Sequence, residues 1–537
     1  MKKYRSALSL LLAALLLIGS LAACTPKEPS SSQDGSHSES SPSDPGSDVS
    51  EEVPSADSSA DTPSDTVTEP EGSSAASSGS LGTTAGTKRT DGSSAVSKPT
   101  KATLTTTTVP KITYPALPSG FVYKTESRDD KADMKFPAAS KESFTQAATK
   151  TPSASKPSGS IYNAKDFGVT PNDMAADSAA LQHAMDTVYK LGGTLYIPAG
   201  LYIIDKPLTI PQRMTVAGDY TGISDTDCTT FLVYCGHGKE NDTALITMSG
   251  YSTFTGVRIY YPKQSKSSPV AYPPTFTNKG DSFSIEEVFV VNPWIAMNFV
   301  SGSGRHWLKN ISGQPLSRGL VIDHCLDVGR TEGITFAPYW SRYATAYTLK
   351  NLTAFTWGKT DWEFVNNCRA EYAAVGFSCT TLPTNGNPGN VLFSGISAYQ
   401  CREAVSIDAV QGHAGAAFSE SVFDGAVNIR YTTDGPVKFT GCTFTANSYN
   451  ATPLNLQGVG PVIIRGCTVD TAGSGSASAP AMIANADRMI VTGNHFTGKA
   501  TTDIRIGSEV KSGVFTGNLA TGHTLSIKDE SNGGAVH

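Results

Sequence analysis

Apolar positions at Leu181, Ala184, Met185, Val188 and Leu191 recur at helical spacing. They predict one helix, with Asp177 as its N-cap and Gly192-Gly193 as its stop. After Leu191 that period disappears. Residues 194–198 and 201–204 read as short strands parted by a Pro-Ala-Gly turn. Apolar-alternating frames then recur along the chain, among them FTGVRIYYP, FSIEEVFVVNP, VLFSGISAY, VKFTGCTFT, VIIRGCTVD and MIVTGNHFTG. Most neighbouring frames lie about 20–30 residues apart, the period of solenoid coils. Several share an apolar-x-x-Gly/Asn-x-x-apolar shape, which suits tight turns of positive φ. Such coils pack only on their neighbours, so roughly 380 residues can fold without one oversized core.

The stretch from Met1 to Cys24 differs from everything after it. Lys2, Lys3 and Arg5 precede an apolar run over 7–18, too short for a stable membrane span. The run closes on Leu21-Ala22-Ala23-Cys24, which resembles the lipobox of bacterial lipoproteins. That resemblance implies a signal peptide over 1–24 and a lipid on Cys24. It also implies a protein held on the extracellular face of a bacterial cell membrane. Residues 25–157 are mostly Ser, Thr, Pro, Asp, Ala and Gly, with twelve acidic and no basic residues between Glu28 and Glu71. This stretch reads as a disordered tether, because it has too little apolar area to offset the entropy of ordering. Part of 103–150 is less biased and could dock on the folded domain. The globular part is 158–537. It carries 26 Lys+Arg against 30 Asp+Glu, a balance that argues against nucleic acid as a partner.

The stretch "DFG…D…A.LQ.A…GGTLYIPAGLY" over 161–204 resembles the entry module of the pectate-lyase-like superfamily, which includes polygalacturonases and phage tailspikes. The resemblance implies an all-β fold, a right-handed parallel β-helix with a short N-terminal capping α-helix. It identifies a fold and not a reaction. Some relatives trimerise, so both monomer and trimer stay open. The polygalacturonase signature is absent: Gly236-His237-Gly238 has no Asn-Thr-Asp or Arg-Ile-Lys to accompany it, and His237 reads as a loop residue.

All five tryptophans fall between Trp294 and Trp362. Sugar rings present apolar faces that stack on indole and phenol rings. Tyr339, Trp340, Trp357 and Trp362, with Arg330, are therefore candidate substrate-binding residues. Asp323, Asp327, Asp361 and Glu363 are the candidate catalytic carboxylates. Alternation in TDWEF sets Asp361 and Glu363 on one face and Trp362 on the other. Asp323 could instead be a buried turn residue. If the stretch from Asp323 to Glu363 spans two coils, those acids lie roughly 9–10 Å apart, compatible with an inverting glycosidase. Nine cysteines include no CxxC, and no Cys/His spacing suggests zinc, so no metal or cofactor is expected. Cys442 and Cys467, in the matching frames GCTF and GCTV, read as equivalents in successive units.

These features point to a surface-anchored protein acting on a polysaccharide or oligosaccharide. The leading expectation is a glycoside hydrolase. A polysaccharide lyase acting on uronates, with Ca²⁺ as the ion it would use, and a non-catalytic glycan-binding protein are the alternatives.

Overall fold

In the computed structural model, residues 143–151, 159–220, 222, 227–383, 386, 388–431 and 433–536 are described. The expected signal peptide over 1–24, Cys24 and most of the expected tether lie outside the described residues. The end of that tether does not behave as one. The Ala147 N–H donates to Ala176 O at 2.9 Å, and the Ala176 N–H donates to Thr145 O at 2.6 Å. The Phe144 ring lies 4.7 Å from that of Tyr234. The domain therefore gathers residues 143–151 onto its first coil.

The helix forms over Ser178–Leu191, with Ala180, Leu181, Ala184, Met185 and Val188 buried against the first strands. Asp177 precedes it but makes no side-chain cap. Its Oδ2 instead accepts the Ile203 N–H at 2.8 Å, and its Oδ1 is buried without a hydrogen-bond partner. Burial pushes this carboxyl up to about 7 from the ordinary 3.8. The folded state thus holds a proton that the unfolded chain releases above pH about 4. The contribution of Asp177 to stability is fully present below pH about 4 and is lost as pH rises to about 7, by up to roughly 4 kcal/mol. Unfolding midpoints measured across this range should show the slope, and Asp177→Asn should flatten it; an unchanged slope in the variant would remove Asp177 from the account.

Among the described residues, thirty-six strands join one continuous sheet whose strand ladders are all parallel. Each strand pairs with its equivalent one coil later. Thr253–Tyr260, Ser284–Val290, Trp307–Gly313, Gly329–Glu332, Glu363–Asn366, Val391–Ser394 and Ala416–Ser419 follow one another on one face. Ile295–Phe299, Arg318–Ile322, Thr353–Trp357, Val375–Cys379 and Glu403–Ile407 stack on another. A parallel strand cannot return by a hairpin, so the chain winds right-handedly around a lumen.

The repeated Gly/Asn frame marks one corner. Asn310, Gly333, Asn367, Gly395, Gly441, Gly466, Gly493 and Gly517 all have φ between 50° and 67°. Each bends the chain from one face into the next, and Gly333, Asn367, Gly395, Gly441, Gly466 and Gly493 donate their N–H to the following coil, as in Gly395 N–H to Ser419 O at 3.0 Å. Asn tolerates this left-handed conformation better than other side-chain-bearing residues, which explains why it alternates with Gly there.

The lumen is filled with aromatic rings in register. Phe355 stacks on Phe377 at 4.9 Å and 4°, Phe393 on Phe418 at 4.3 Å, and Phe418 on Phe439 at 4.5 Å. Cys442 and Cys467 sit directly one coil apart, each preceding one member of the Thr443–Thr468 pair. All eight described cysteines are free thiols. Coil length varies. Trp307 pairs with Arg330 and Arg330 with Phe364, so the second of these windings is the longer. The long coil carries an outward excursion over 337–351 that includes the short helix Thr345–Asn351. Among the described residues, no helix is long and apolar enough to cross a membrane.

Candidate functional site

The tryptophan-rich region divides between inside and outside. Strand alternation sets Glu363 and Val365 inward and Trp362 and Phe364 outward. Trp307, Arg330 and Phe364 occupy the same register position on three successive coils. Trp307 is 44% exposed, Trp362 39% and Phe364 36%. The Trp362 and Phe364 rings lie 6.5 Å apart at 16°, and Lys309 Nζ sits 5.7 Å from the Trp307 ring. The result is an exposed aromatic column with cations in and beside it.

Acidic residues border this column at the turns before the strands that start at Ser284, Gly329 and Glu363, with Arg305 at the turn before Trp307. The Arg305 guanidinium donates to Asp281 Oδ2 at 2.7 Å and pairs with Asp327 Oδ2 at 3.1 Å. Asp361 stands one coil after Asp327, since Gly329 pairs with Glu363 and the Asp361 N–H meets Cys325 O at 2.9 Å. Asp281 continues into a cleft of about 850 Å³, which is also lined by Asp186, Tyr189, Lys190, Tyr251 and Lys279. Tyr189 and Tyr251 are each half-exposed. The corner therefore offers ring faces, cations and three carboxylates to one extended ligand.

The remaining sequence candidates lie elsewhere, and they are corrected here. Trp357 is wholly buried in the lumen, 5.9 Å from Phe355 at 3° and edge-on to Phe393. A solenoid interior that stacks rings accepts an indole, so Trp357 belongs to the lumen and not to a sugar-facing groove. Trp340 is 2% exposed and packs on the outer surface with Tyr220, Phe289 and Leu316. Gln314 holds it there by accepting the N–H groups of Trp340 and Ser341. Tyr339 covers the same patch, half-buried, with its ring edge-on to Phe289. Asp323 is buried and accepts the N–H of His324 and of Lys359, at 3.0 and 2.8 Å, as a turn residue would. Glu363 is fully buried and faces the lumen, where no polymer reaches it. Asp323 and Glu363 are also not two coils apart. Ile322 pairs with Trp357 one winding later, and the 337–351 excursion takes up much of the intervening chain. Asp327, Asp361, Arg330 and Trp362 do come together on the outside. Trp307, Phe364 and Asp281 were missed, although the alternation around Trp307 and Phe364 could have found two of them.

Residues 161–378 match the family model described as rhamnogalacturonase A/epimerase, pectate lyase-like. The chain is 33% identical over 102 residues to mannuronan C5-epimerase AlgE5 of Azotobacter vinelandii; the match covers 18% of this chain and 10% of that protein. Among solved structures, the A-module of the epimerase AlgE4 from the same organism aligns with 70% of this chain and 99% of its own, at 14% identity and a TM-score of 0.42. The tailspike of Escherichia coli bacteriophage HK620, in complex with a hexasaccharide, aligns with 69% of this chain and 78% of its own, at 11% identity and a TM-score of 0.42. The parallel ladders and the one-per-coil corner make the folded chain a right-handed parallel β-helix, and its residues 161–378 are similar to the pectate lyase-like family.

Proposed function

We propose that the chain binds a carboxylated polysaccharide across the Trp307–Arg330–Phe364 column and cleaves it as a glycoside hydrolase. The column itself carries this reading. Three solvent-facing side chains at strand spacing, two aromatic and one cationic, match a polymer of sugar rings that bear acidic groups. The family match over 161–378 supports carbohydrate chemistry. Asp327 and Asp361 would be the acting carboxylates. Adjacent coils are about 4.8 Å apart, nearer the roughly 5 Å separation of retaining glycosidases than the wider spacing of inverting ones. Arg305, bonded to Asp327, would orient that carboxylate. The expected anchor at Cys24, outside the described residues, would hold the column at the cell surface.

A second reading follows from Arg330, the cation between the two rings. It would meet a uronate carboxylate and stabilise the charge that forms when the proton α to that group is abstracted and the β glycosidic oxygen leaves. The full chain, digested against a panel of acidic and neutral polysaccharides, separates the readings. New reducing ends without ultraviolet absorbance are the expected result. Reducing ends with absorbance would make it a lyase. Binding without products would leave only the glycan partner, and neither binding nor products would end the proposal.

A further inference from the structure

Beneath the exposed corner, three side chains far apart in sequence converge. His306, Cys325 and Glu363 are all buried, and their donor atoms lie within 4.8 Å of one another. His306 Nδ1 is 2.6 Å from the Ser303 carbonyl, which can only accept, so Nδ1 carries the proton. Nε2 then points at Glu363 Oε1, 3.1 Å away. Oε1 also accepts the Thr331 hydroxyl at 2.9 Å, while Oε2 is buried with no partner. The Cys325 thiol lies 4.0 Å from His306 Nδ1, on the Ser303 side of the ring, and donates to the Asp327 carbonyl at 2.8 Å. Gly329 faces the group: a Cβ there would stand 2.0 Å from Glu363 Oε2 and 2.4 Å from the His306 ring.

We infer that His306, Cys325 and Glu363 bind a single divalent metal ion of the zinc class inside the β-helix. The donor set is nitrogen, sulfur and oxygen, the mixture that zinc accepts. A backbone carbonyl already fixes the imidazole by its other nitrogen, as in metal-ligating histidines generally. A thiolate and a carboxylate balance a divalent charge, so the loaded site is neutral, as a low-dielectric lumen demands. The metal would give the orphaned Oε2 a partner. Zinc bond lengths of about 2.0–2.3 Å require the thiol to turn from the Asp327 carbonyl toward Nε2. Binding releases the thiol proton and the proton shared between Nε2 and Glu363. The ion would clasp three turns together, including the one that presents Asp327 to the outer surface. No sequence motif announces it, because its members become neighbours only when coils stack.

The test uses the full chain, unfolded and refolded with excess zinc or cobalt, then dialysed against chelator. One bound metal per chain by mass spectrometry is expected, together with a thiolate-to-cobalt charge-transfer band in the cobalt form. Cys325→Ser, nearly isosteric, should keep the circular dichroism of the fold and lose that band; His306→Gln should lower metal content. A refolded chain with native dichroism and well under one metal would overturn the inference, as would a cobalt spectrum unchanged in Cys325→Ser. None of these readouts depends on turnover, so they stand apart from the polysaccharide reading.

Discussion

Replacing Trp357 with alanine is expected to destabilise the folded chain by about 3–5 kcal/mol. The indole is fully buried, lies nearly parallel to Phe355 and Phe377, and meets Phe393 edge-on. Its removal deletes a large apolar surface and opens a void that parallel ladders on both sides hold open. Denaturant unfolding followed by far-ultraviolet dichroism gives the number. A loss below about 1 kcal/mol would mean that the lumen collapses around the gap, or that the ring does not pack there. Binding to a polysaccharide, measured where the variant is still folded, should not change, because the side chain never meets solvent.

The opposite pattern is expected of Trp307 and Phe364. Both are more than a third exposed, so alanine at either position should leave stability within about 0.5 kcal/mol. Each should weaken glycan binding about tenfold, near 1.4 kcal/mol, and the pair by about a hundredfold if the contributions add. Arg330→Ala, between them in register, should weaken binding to acidic polymers more than to neutral ones, and that difference should shrink with added salt. Isothermal titration with one acidic and one neutral polysaccharide reads all of this. Unchanged affinity in the double variant would move the binding surface elsewhere, with the cleft at Tyr189 and Tyr251 the next place to look.

The fold was largely legible in the chain because its signal is a period. The apolar frames and the Gly/Asn corner recur once per coil, and each recurrence has one physical cause, the left-handed bend. The helix over 178–191 was legible for the same reason, although its expected cap turned inward to Ile203 instead. The site was only half legible, because register depends on coil length and coil length is not constant. The 337–351 excursion adds chain without adding a coil, so Asp323 and Glu363 stand little more than one turn apart where a constant period would give two. Trp362 could be placed from the alternation in TDWEF; Trp357 could not, since nothing local says whether a ring belongs to a stack in the lumen. The His306, Cys325 and Glu363 cluster was invisible for the deeper reason that its members come from three separate windings.

That excursion also bears on how the molecule opens. The 337–351 segment rests on a small external patch around Trp340, separate from the lumen stack, and the strands before and after it keep their ladders to neighbouring coils. Exposing it therefore forfeits only its own contacts, while unwinding the coil beneath it forfeits two ladders at once. Amide protection should consequently be layered around one circumference of the solenoid: the overhang exchanges through local lifting, and the strands under it only when a stretch of the spiral comes apart. A binding partner that gripped the overhang could displace it without loosening the column that faces the glycan.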